Sequence, residues 1–399
     1  METKQLIEWT DRYLMTTAKR FPLALVRGEG ARVWDSEGKE YLDFTGGIAV
    51  TALGHSHPKV VGTMREQAAT LLHVSNLFHI PQQTHLAKLL CDHSFADRVF
   101  FSNSGAEANE TAIKLTRKWA KEHGASDRGE IITMRGGFHG RTLATVTATA
   151  QEKYQHGFEP LPGGFKYVPF NDLRAVERAI DSRTAGVLVE PIQGEGGVNI
   201  PDEGYLPGLR KLCDEAGILL VFDEIQTGMG RTGKLWCYEH AGVSPDVMTL
   251  AKALANGVPI GATLATENVA RVFTPGTHGS TFGGNPFATA VGLTVFSTLM
   301  EERLPERAAR MGRLLSDRLE SVRSKRPNVV KEVRGKGLLI GVDLSIPVGD
   351  VLSACRERGL LVLTAGDNTL RLAPPLIVDE ASVDRAAEIV ERALGDVRT

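Results

Sequence analysis

The sequence is poor in cysteine and balanced in charge. Its 399 residues include four cysteines, 46 basic residues and 48 acidic residues. The cysteines are far apart, fit no zinc-binding spacing and are too few to stabilise a chain of this length by disulfide bonds. The charge balance provides no basic field that would attract nucleic acid or an anionic membrane. We therefore expect neither of these partners.

Long apolar runs are also missing, since no stretch reaches the ~18 residues of a membrane-spanning helix. The N-terminal stretch METKQLIEWTDRYLM is too polar and acidic for a secretory signal peptide. These features lead us to expect a cytoplasmic protein without a membrane anchor. Internal repeats and Pro/Ser-rich linkers are absent too, so any domains should share extensive contacts.

The apolar pattern divides the chain into three parts. Residues 1–54 contain short strands and turns, for example ARVWDSEGKEYLDF. Residues 55–284 contain short continuous apolar runs between helix-like segments, which is typical of strands buried in a largely parallel sheet. Residues 285–399 contain a long helical stretch, two strand candidates and a closing helix. The sequence therefore predicts an α/β fold with a large domain and a smaller α+β domain, against which residues 1–54 pack.

Polar residues that directly follow apolar runs are the first functional candidates, because ligands of open α/β sheets bind beyond the carboxyl ends of the strands. In ILLVFDE, Asp223 and Glu224 follow five apolar residues. A buried carboxylate at this place needs a cationic partner. When the motif is considered alone, a structural ion pair explains it as well as a functional site does.

Lys252 ends a second apolar run, in DVMTLAK, and has Ala251, Ala253 and Gly257 as small neighbours. Small neighbours leave space for a bulky planar ligand, and a partly desolvated amine is easily deprotonated for attack on a carbonyl. A single lysine is usually a solvated surface charge. The combination with Asp223 makes Lys252 a candidate nucleophile.

A third segment, RVFFSNSGAE, places Ser104 and Glu107 at the spacing of a capping box. Gly105 and Ala106 open the helix, whose free amides form an anion site suited to phosphate, although most capping boxes only start helices. A phosphate site, an amine nucleophile and a strand-end carboxylate are together what pyridoxal 5'-phosphate (PLP) needs. They supply an anchor, a Schiff base and a carboxylate that keeps the pyridine nitrogen protonated.

The motifs around these residues resemble the class III (subgroup II) aminotransferases of PLP fold type I over almost the whole chain. The matching motifs are GGIAVTALGHSHP (46–58), FFSNSGAEANE (100–110), GGFHGRTLATVTATAQEKYQHGFEPLPGGFKYVPFND (136–172), EPIQGEGG (190–197), VFDEIQTGMGRTGK (221–234), LAKALANGVPIGA (250–262), GSTFGGNP (279–286) and RLAPPL (371–376). The resemblance implies a large domain with a mostly parallel seven-stranded sheet, PLP as cofactor, and a homodimer with active sites at the subunit interface.

The resemblance also implies roles for individual residues at the cofactor. Lys252 is expected to form the Schiff base and to transfer protons, Asp223 to bind the pyridine nitrogen, and Gln226 to contact the ring hydroxyl. Phe138 is expected to stack on the ring, as aromatic faces do well.

The phosphate would be bound near the helix that follows RVFFS. Ser104, Gly105 and Ala106 are expected at the phosphate of their own subunit. Thr281 is expected to reach the phosphate bound in the other subunit, which would make the family dimeric.

Four further residues are implied in substrate binding. Arg141 would bind a carboxylate of either substrate through its guanidinium fork, and Ser280 would also contact the substrate. Arg371 would hold the α-carboxylate of glutamate. Glu195 would neutralise Arg371 when a substrate end without a carboxylate enters, so that one pocket accepts two unlike ends.

The motifs are most similar to those of family members that act in arginine biosynthesis. These enzymes transfer the amino group of N2-acetyl-L-ornithine to 2-oxoglutarate, giving N-acetyl-L-glutamate 5-semialdehyde and L-glutamate. The stretch GGIAVTALGH favours acetylornithine over ornithine, since ornithine enzymes usually carry tyrosines near this position. Succinyldiaminopimelate, succinylornithine, ornithine and 4-aminobutyrate stay open as alternative donors, because relatives that use them share the catalytic residues.

Two motifs point to other chemistry. GMGRTGK (228–234) fits a nucleotide-binding G-x-x-x-x-G-K loop, but Leu235 stands where Mg²⁺ binding needs Ser or Thr, and no helix pattern follows. A nucleotide-binding protein is therefore a remote alternative. His55 and His57 lie in a Gly/Pro turn without an evident third ligand, so we predict no metal site.

Overall fold

The computed structural model describes residues 3–124 and 126–396. The strands are β1 Leu25–Glu29, β2 Arg32–Asp35, β3 Glu40–Asp43, β4 Arg98–Ser102, β5 Glu130–Met134, β6 Phe165–Val168, β7 Thr184–Val189, β8 Leu219–Asp223, β9 Val247–Leu250, β10 Gly261–Ala265, β11 Val330–Lys336, β12 Leu339–Leu344, β13 Leu360–Leu361, β14 Leu363–Ala365 and β15 Thr369–Leu372. The α-helices are α1 Thr3–Tyr13, α2 Gly46–Ala49, α3 Pro58–Thr70, α4 Pro81–Asp92, α5 Gly105–His123, α6 Leu143–Ala148, α7 Glu152–Gln155, α8 Leu173–Ala179, α9 Tyr205–Ala216, α10 Glu267–Ala270, α11 Pro286–Glu301, α12 Leu304–Lys325, α13 Val348–Glu357 and α14 Glu380–Asp396. Short 3-10 helices span Cys237–His240 and Lys252–Ala255.

The largest sheet has seven strands in the order β4-β10-β9-β8-β7-β5-β6. Six of them run parallel to one another, whereas β10 runs antiparallel to both of its neighbours. Strands β7 and β8 are buried along their full length, as expected for strands covered on both faces. The mostly parallel α/β sheet that the sequence predicts is thus confirmed, and its parallel strands end at one common edge.

Two four-stranded sheets, β1-β2-β3-β13 and β11-β12-β15-β14, contain the remaining strands named above. The first joins the two ends of the chain, because β13 pairs in parallel with β3 and places Leu360 opposite Leu42. Helix α11 begins just after residue 284 and packs against α3 and α4. The division of the chain into domains at residues 54 and 284 stays a prediction.

Two local features differ from the sequence-based expectation. Thr3–Tyr13 forms helix α1, where strands and turns are expected, because this stretch contains neither Gly nor Pro and repeats its apolar residues at helical spacing. One of the two strand candidates predicted within residues 285–399 is the run LLVLTAG, residues 360–366. In the structure this run is divided into β13 and β14, which pair in different sheets. In the described part of the chain, no helix combines the length and apolar character that a membrane crossing requires.

Helix α12 packs closely on the turn between β11 and β12 because Gly312 has no side chain. A Cβ atom at Gly312 would overlap the backbone carbonyl of Gly337. Backbone cannot move aside as a flexible side chain can, so we predict that Gly312→Ala lowers the free energy of unfolding by about 1–3 kcal/mol, although alanine is the better helix former. Urea unfolding followed by circular dichroism measures this change.

The matched control is Gly62→Ala in α3, where an added Cβ atom would have no neighbour within 4 Å among the described residues. This substitution should leave the free energy of unfolding unchanged or raise it by up to about 1 kcal/mol. Equal effects of the two substitutions would contradict the packing argument.

Candidate active site

A cavity of about 400 Å³ lies at the carboxyl edge of the parallel strands. Its lining comes from segments that follow β4, β5, β7, β8 and β9, which is where open α/β sheets bind their ligands. Eight of the twelve residues that the sequence implicates line it: Ser104, Gly105, Ala106, Phe138, Arg141, Asp223, Gln226 and Lys252.

Asp223, at the end of β8, is 3% exposed and is surrounded by donors. Its Oδ2 accepts a hydrogen bond from Asn109 Nδ2 at 2.7 Å and lies 2.8 Å from His139 Nδ1, while Oδ1 accepts from the Ile225 amide at 3.1 Å. The Asn109 amide is fixed in turn by Thr249 Oγ1, which donates to Asn109 Oδ1 at 2.8 Å. These contacts satisfy the buried carboxyl oxygens with hydrogen-bond partners from within the protein.

His139 and Glu190 are buried beside Asp223 and are not among the residues that the sequence predicts. Burial lowers the pKa of His139, but the hydrogen bond and charge of Asp223 outweigh burial and raise the pKa overall. Burial raises the pKa of Glu190 to about 7, although its carboxylate accepts from the amides of Phe138 and Gly194. Glu190 directly follows β7, so the strand-end rule could have found it, whereas no spacing singles out His139.

Lys252 begins a 3-10 helix just after β9 and has a φ of 42°, in the left-handed region. Strain of this kind is typical of functional positions and costs on the order of 1 kcal/mol. Burial is the main cause that lowers the pKa of Lys252, and the charge of Arg371 lowers it further, against the opposing charge of Glu195. The lowered pKa favours the neutral amine, which is the nucleophilic form.

Helix α5 begins where the sequence predicts, with Ser104 Oγ accepting a hydrogen bond from the Glu107 amide at 3.1 Å. In a capping box the Glu107 carboxylate would accept a hydrogen bond from the Ser104 amide. Here it accepts from the amide of Asn103 instead. Gly105 and Ala106 belong to the first turn, whose amides have no acceptor within the helix. These amides and the helix dipole suit an anion.

Arg141 is positioned by two aromatic rings at the cavity. Its guanidinium lies 3.9 Å from the ring centroid of Tyr154 and 5.5 Å from that of Phe138. The two rings meet edge to face, with their centroids 6.0 Å apart. Cation–π attraction of this kind orients a guanidinium while leaving its donors free. Tyr154 lies within a matched motif, but no sequence signal distinguishes it from a core tyrosine.

Arg371 on β15 and Glu195 form an ion pair, with 2.6 Å between Nη1 and Oε1. Arg371 is 2% exposed, and its Nη1 also lies within hydrogen-bonding distance of Gln226 Oε1, at 3.2 Å. Burial raises the pKa of Glu195, but the charges of Arg371 and Lys252 outweigh burial and lower it overall. The pair therefore lies beside the cavity, next to Gln226 and Lys252.

Ser280 and Thr281 differ in their relation to the cavity of their own chain. Ser280 Oγ accepts hydrogen bonds from Asn103 Nδ2 at 3.1 Å and from the Gly283 amide at 3.0 Å, which links it to a lining residue. Thr281 is exposed and lies outside the lining.

Glu224 and the segment 228–234 have structural contacts instead of ligand-binding ones. The Glu224 carboxylate accepts from the amides of Cys237 at 2.7 Å and Tyr238 at 2.8 Å. Arg231 is 1% exposed and donates to the carbonyl oxygens of Leu338 and Pro374. The element that follows is the short 3-10 helix over residues 237–240 instead of the helix that a nucleotide-binding loop requires, so these contacts do not fit such a loop.

The chain is similar to known aminotransferases in sequence and in fold. Residues 13–394 match the family model of class-III aminotransferases. An acetylornithine aminotransferase from Thermosynechococcus vestitus is 52% identical, covering 96% of this chain and 95% of the relative. Among solved structures, an acetylornithine aminotransferase from Elizabethkingia anophelis has a TM-score of 0.89 at 36% identity and covers 100% of both chains. An ornithine aminotransferase from Toxoplasma gondii, with PLP in partial occupancy at its active site, has a TM-score of 0.95 at 35% identity, covering 98% of this chain and 94% of that one.

A mostly parallel sheet whose carboxyl edge combines a partly buried lysine, a buried carboxyl group and a helix N-terminus is typical of the PLP-dependent transferases of fold type I, the class to which this fold belongs. Within that class, the chain belongs to the class III aminotransferases.

The buried position of Glu224 makes stability depend on pH. Burial raises its pKa to about 7, whereas an unfolded glutamate titrates near about 4.3. Between these values the folded state binds the extra proton, so this group lowers the free energy of unfolding as pH rises from about 4.5 to about 7. We predict that wild type loses about 3 kcal/mol relative to Glu224→Gln over this range.

Denaturant unfolding of both proteins at several pH values measures the difference. Because every other titrating group is shared, only the difference between the two curves is interpreted. A difference that stays constant with pH, or that rises, would show that Glu224 is ionised in the folded protein throughout the range.

Proposed function

We propose that the protein transfers the amino group of N2-acetyl-L-ornithine to 2-oxoglutarate, giving N-acetyl-L-glutamate 5-semialdehyde and L-glutamate in arginine biosynthesis. The ion pair of Glu195 and Arg371 beside Lys252 carries the proposal. Glutamate has a carboxylate on its reacting carbon, whereas the reacting end of acetylornithine has none. Arg371 can bind the carboxylate of glutamate when it is free, and Glu195 can neutralise it when acetylornithine is bound, so the pair suits both substrates. The name of the relative at 52% identity supports this choice of donor.

The residues of the cavity fit PLP. The amides of Gly105 and Ala106 would bind its phosphate together with Ser104, at the N-terminus of a helix. Asp223 would bind the pyridine nitrogen. When bound, PLP supplies an aldehyde for the amino group and a ring that withdraws electrons from the reacting carbon.

Three other residues complete the cofactor site. Lys252 Nζ would be the amine that bonds to the aldehyde, Gln226 would contact the ring hydroxyl, and Phe138 would stack on the ring. All three line the cavity, which supports these roles.

The chain's own residues then move the proton and select the substrate. Asp223, held by its hydrogen bonds, would accept a hydrogen bond from a protonated ring nitrogen. Lys252 Nζ would take a proton from the substrate carbon, and its lowered pKa makes the neutral amine available. Arg141 binds the carboxylate far from the reacting carbon, with Ser280 beside it. Arg371 binds the near carboxylate of glutamate after Glu195 turns away.

We predict that N2-acetylornithine converts the holoenzyme to its pyridoxamine form faster than ornithine, 4-aminobutyrate, succinylornithine or succinyldiaminopimelate does. The physical reason against ornithine is that its free α-amino group is positively charged and would lie near the Arg141 guanidinium, whereas acetylation removes that charge. Single-turnover absorbance of the bound cofactor measures each rate.

Lys252→Ala is the control, and it should bind PLP without forming the covalent link and should lose at least about 10⁴-fold in rate. If another amine reacts fastest, the donor assignment changes while the aminotransferase class stands. If wild type reacts with none of these amines, the proposed function fails.

A homodimer with active sites at the subunit interface is the proposed assembly. Leu77, Phe78 and Phe282 are 87%, 67% and 61% exposed, which is unusual for clustered large apolar side chains. The segment around them is ordered by Asn76, whose Nδ2 donates to the carbonyl oxygens of Ser280 and Gly283. A second copy that covers this surface would bring its exposed Thr281 to the phosphate of the neighbouring subunit.

We predict that the double substitution Leu77→Asp/Phe78→Asp dissociates the dimer and weakens PLP binding, because buried charges would oppose association. Sedimentation velocity measures the mass, and fluorescence titration measures PLP affinity. Met300→Asp, at an exposed apolar position on α11, is the control and should leave both unchanged. A double variant that sediments as wild type would refute this interface.

The cytoplasm is the proposed compartment. All four cysteines are free thiols, which is the usual state in a reducing environment.

A further inference from the structure

The C-terminal sheet places two arginines in one row. Arg334 on β11 pairs with Gly341 on β12, and Gly341 pairs with Arg371 on β15. Directly opposed residues of neighbouring strands have their side chains on the same face of a sheet. Arg334 and Arg371 therefore lie on one face, separated by a strand position that has no side chain.

The segment over residues 194–199, which contains Glu195, lies across this row. Arg334 donates from Nη2 to the carbonyl oxygen of Gly197 at 2.7 Å, and from Nε to those of Gly197 at 3.1 Å and Val198 at 3.2 Å. Val198 is fully buried over Gly341, where an added Cβ atom would lie 3.0 Å from the Val198 Cβ. The missing side chain of Gly341 thus makes room for the segment.

Arg334 also contacts the strand that carries Arg371. Its Nη2 lies 3.1 Å from Thr369 Oγ1, two residues before Arg371 on β15. On the other side, the amide of Gly366 donates to the carbonyl oxygen of Glu195 at 2.8 Å. The guanidinium of Arg334 therefore joins the two pieces of chain whose side chains form the Glu195–Arg371 ion pair.

We propose that Arg334 is a positioning residue for substrate selection: it fixes Glu195 relative to Arg371 and thereby sets how strongly the active site favours a donor without a carboxylate on its reacting carbon over glutamate. Arg334 is not part of the cavity lining in this chain. The inference deepens the proposed function and rests on it for the meaning of the ion pair. The hydrogen bonds of Arg334 are independent of that function.

The test uses the Arg334→Gln and Arg334→Lys holoenzymes. Loss of the guanidinium group removes the hydrogen bonds that hold the 194–199 segment. Glu195 then neutralises Arg371 less well when acetylornithine binds. Binding of glutamate is not weakened in this way, because its carboxylate pairs with Arg371 directly. The single-turnover efficiency with acetylornithine divided by that with glutamate should fall roughly tenfold in Arg334→Gln. Lysine keeps the charge without the fork, so Arg334→Lys should fall less. General loosening of the fold would lower both efficiencies together and leave the ratio unchanged.

The matched control is Glu332→Gln. Glu332 forms an ion pair with Arg334 at 2.7 Å, but its carboxylate is more than half exposed, and the contacts of Arg334 with Gly197, Val198 and Thr369 do not involve it. The ratio should stay at the wild-type value, since exposed ion pairs contribute little. In Gly341→Ala the new Cβ atom would lie 2.8 Å from Thr369 Cγ2 and 3.0 Å from Val198 Cβ. It would crowd two residues that contact Arg334 while keeping the arginine, so the ratio should shift in the same direction as in Arg334→Gln.

A binding measurement separates this inference from the proposed function. Glutarate has no amino group, and to occupy the site with one carboxylate on Arg371 it must displace Glu195. Calorimetric titration of the holoenzyme should therefore find glutarate bound severalfold more tightly by Arg334→Gln than by wild type. An unchanged glutarate affinity, or an unchanged ratio in both Arg334 variants, overturns the inference. If wild type uses another amine in place of acetylornithine, only the donor assignment fails. The efficiency with that amine is then divided by the efficiency with glutamate to test Arg334.

Discussion

The structure depends on a buried carboxyl group whose oxygens must find hydrogen-bond partners within the protein. Asp223 lies at the end of a fully buried strand, so these partners have to come from the surrounding elements. Asn109 reaches it from α5, His139 from the segment after β5, and Ile225 through its own backbone. Thr249 on β9 fixes Asn109 in turn. The carboxyl group of Asp223 thus brings together four parts of the structure: α5, the segment after β5, the segment after β8, and β9. The cavity lies at this point.

The residues proposed for the chemistry and those proposed for substrate selection come from different sheets. The seven-stranded sheet supplies Lys252 and Asp223, whereas Arg371 comes from the C-terminal sheet. Glu195 lies on a segment that leaves the central sheet and is held on the C-terminal one through Gly366 and Arg334. The pair of Glu195 and Arg371 therefore lies where the two sheets meet, and it is connected to the groups around Asp223 through Gln226 and through the Gly194 amide, which donates to Glu190.

Much of this arrangement follows from the sequence. The rule that ligands bind at strand ends leads to Lys252, Asp223 and Ser104, because continuous apolar runs mark buried strands and the polar residue after each run marks their common edge. His139 and Asn109 escape such reasoning, since their function depends on contacts between segments that are distant in sequence. The same rule does not separate Asp223 from Glu224, which turns to the opposite side and binds backbone amides.

The reversed direction of β10 has a consequence for the width of the site. Since β10 stands between β4 and β9, the start of α5 and Lys252 are two strand spacings apart, roughly 10 Å. An antiparallel strand also brings the loop before it, instead of the loop after it, to the shared edge. That loop, residues 257–260, lines the gap with backbone and small apolar side chains. The presence of β10 between β4 and β9 therefore sets the distance between the first turn of α5 and Lys252. Its reversed direction places residues 257–260 in the gap between them.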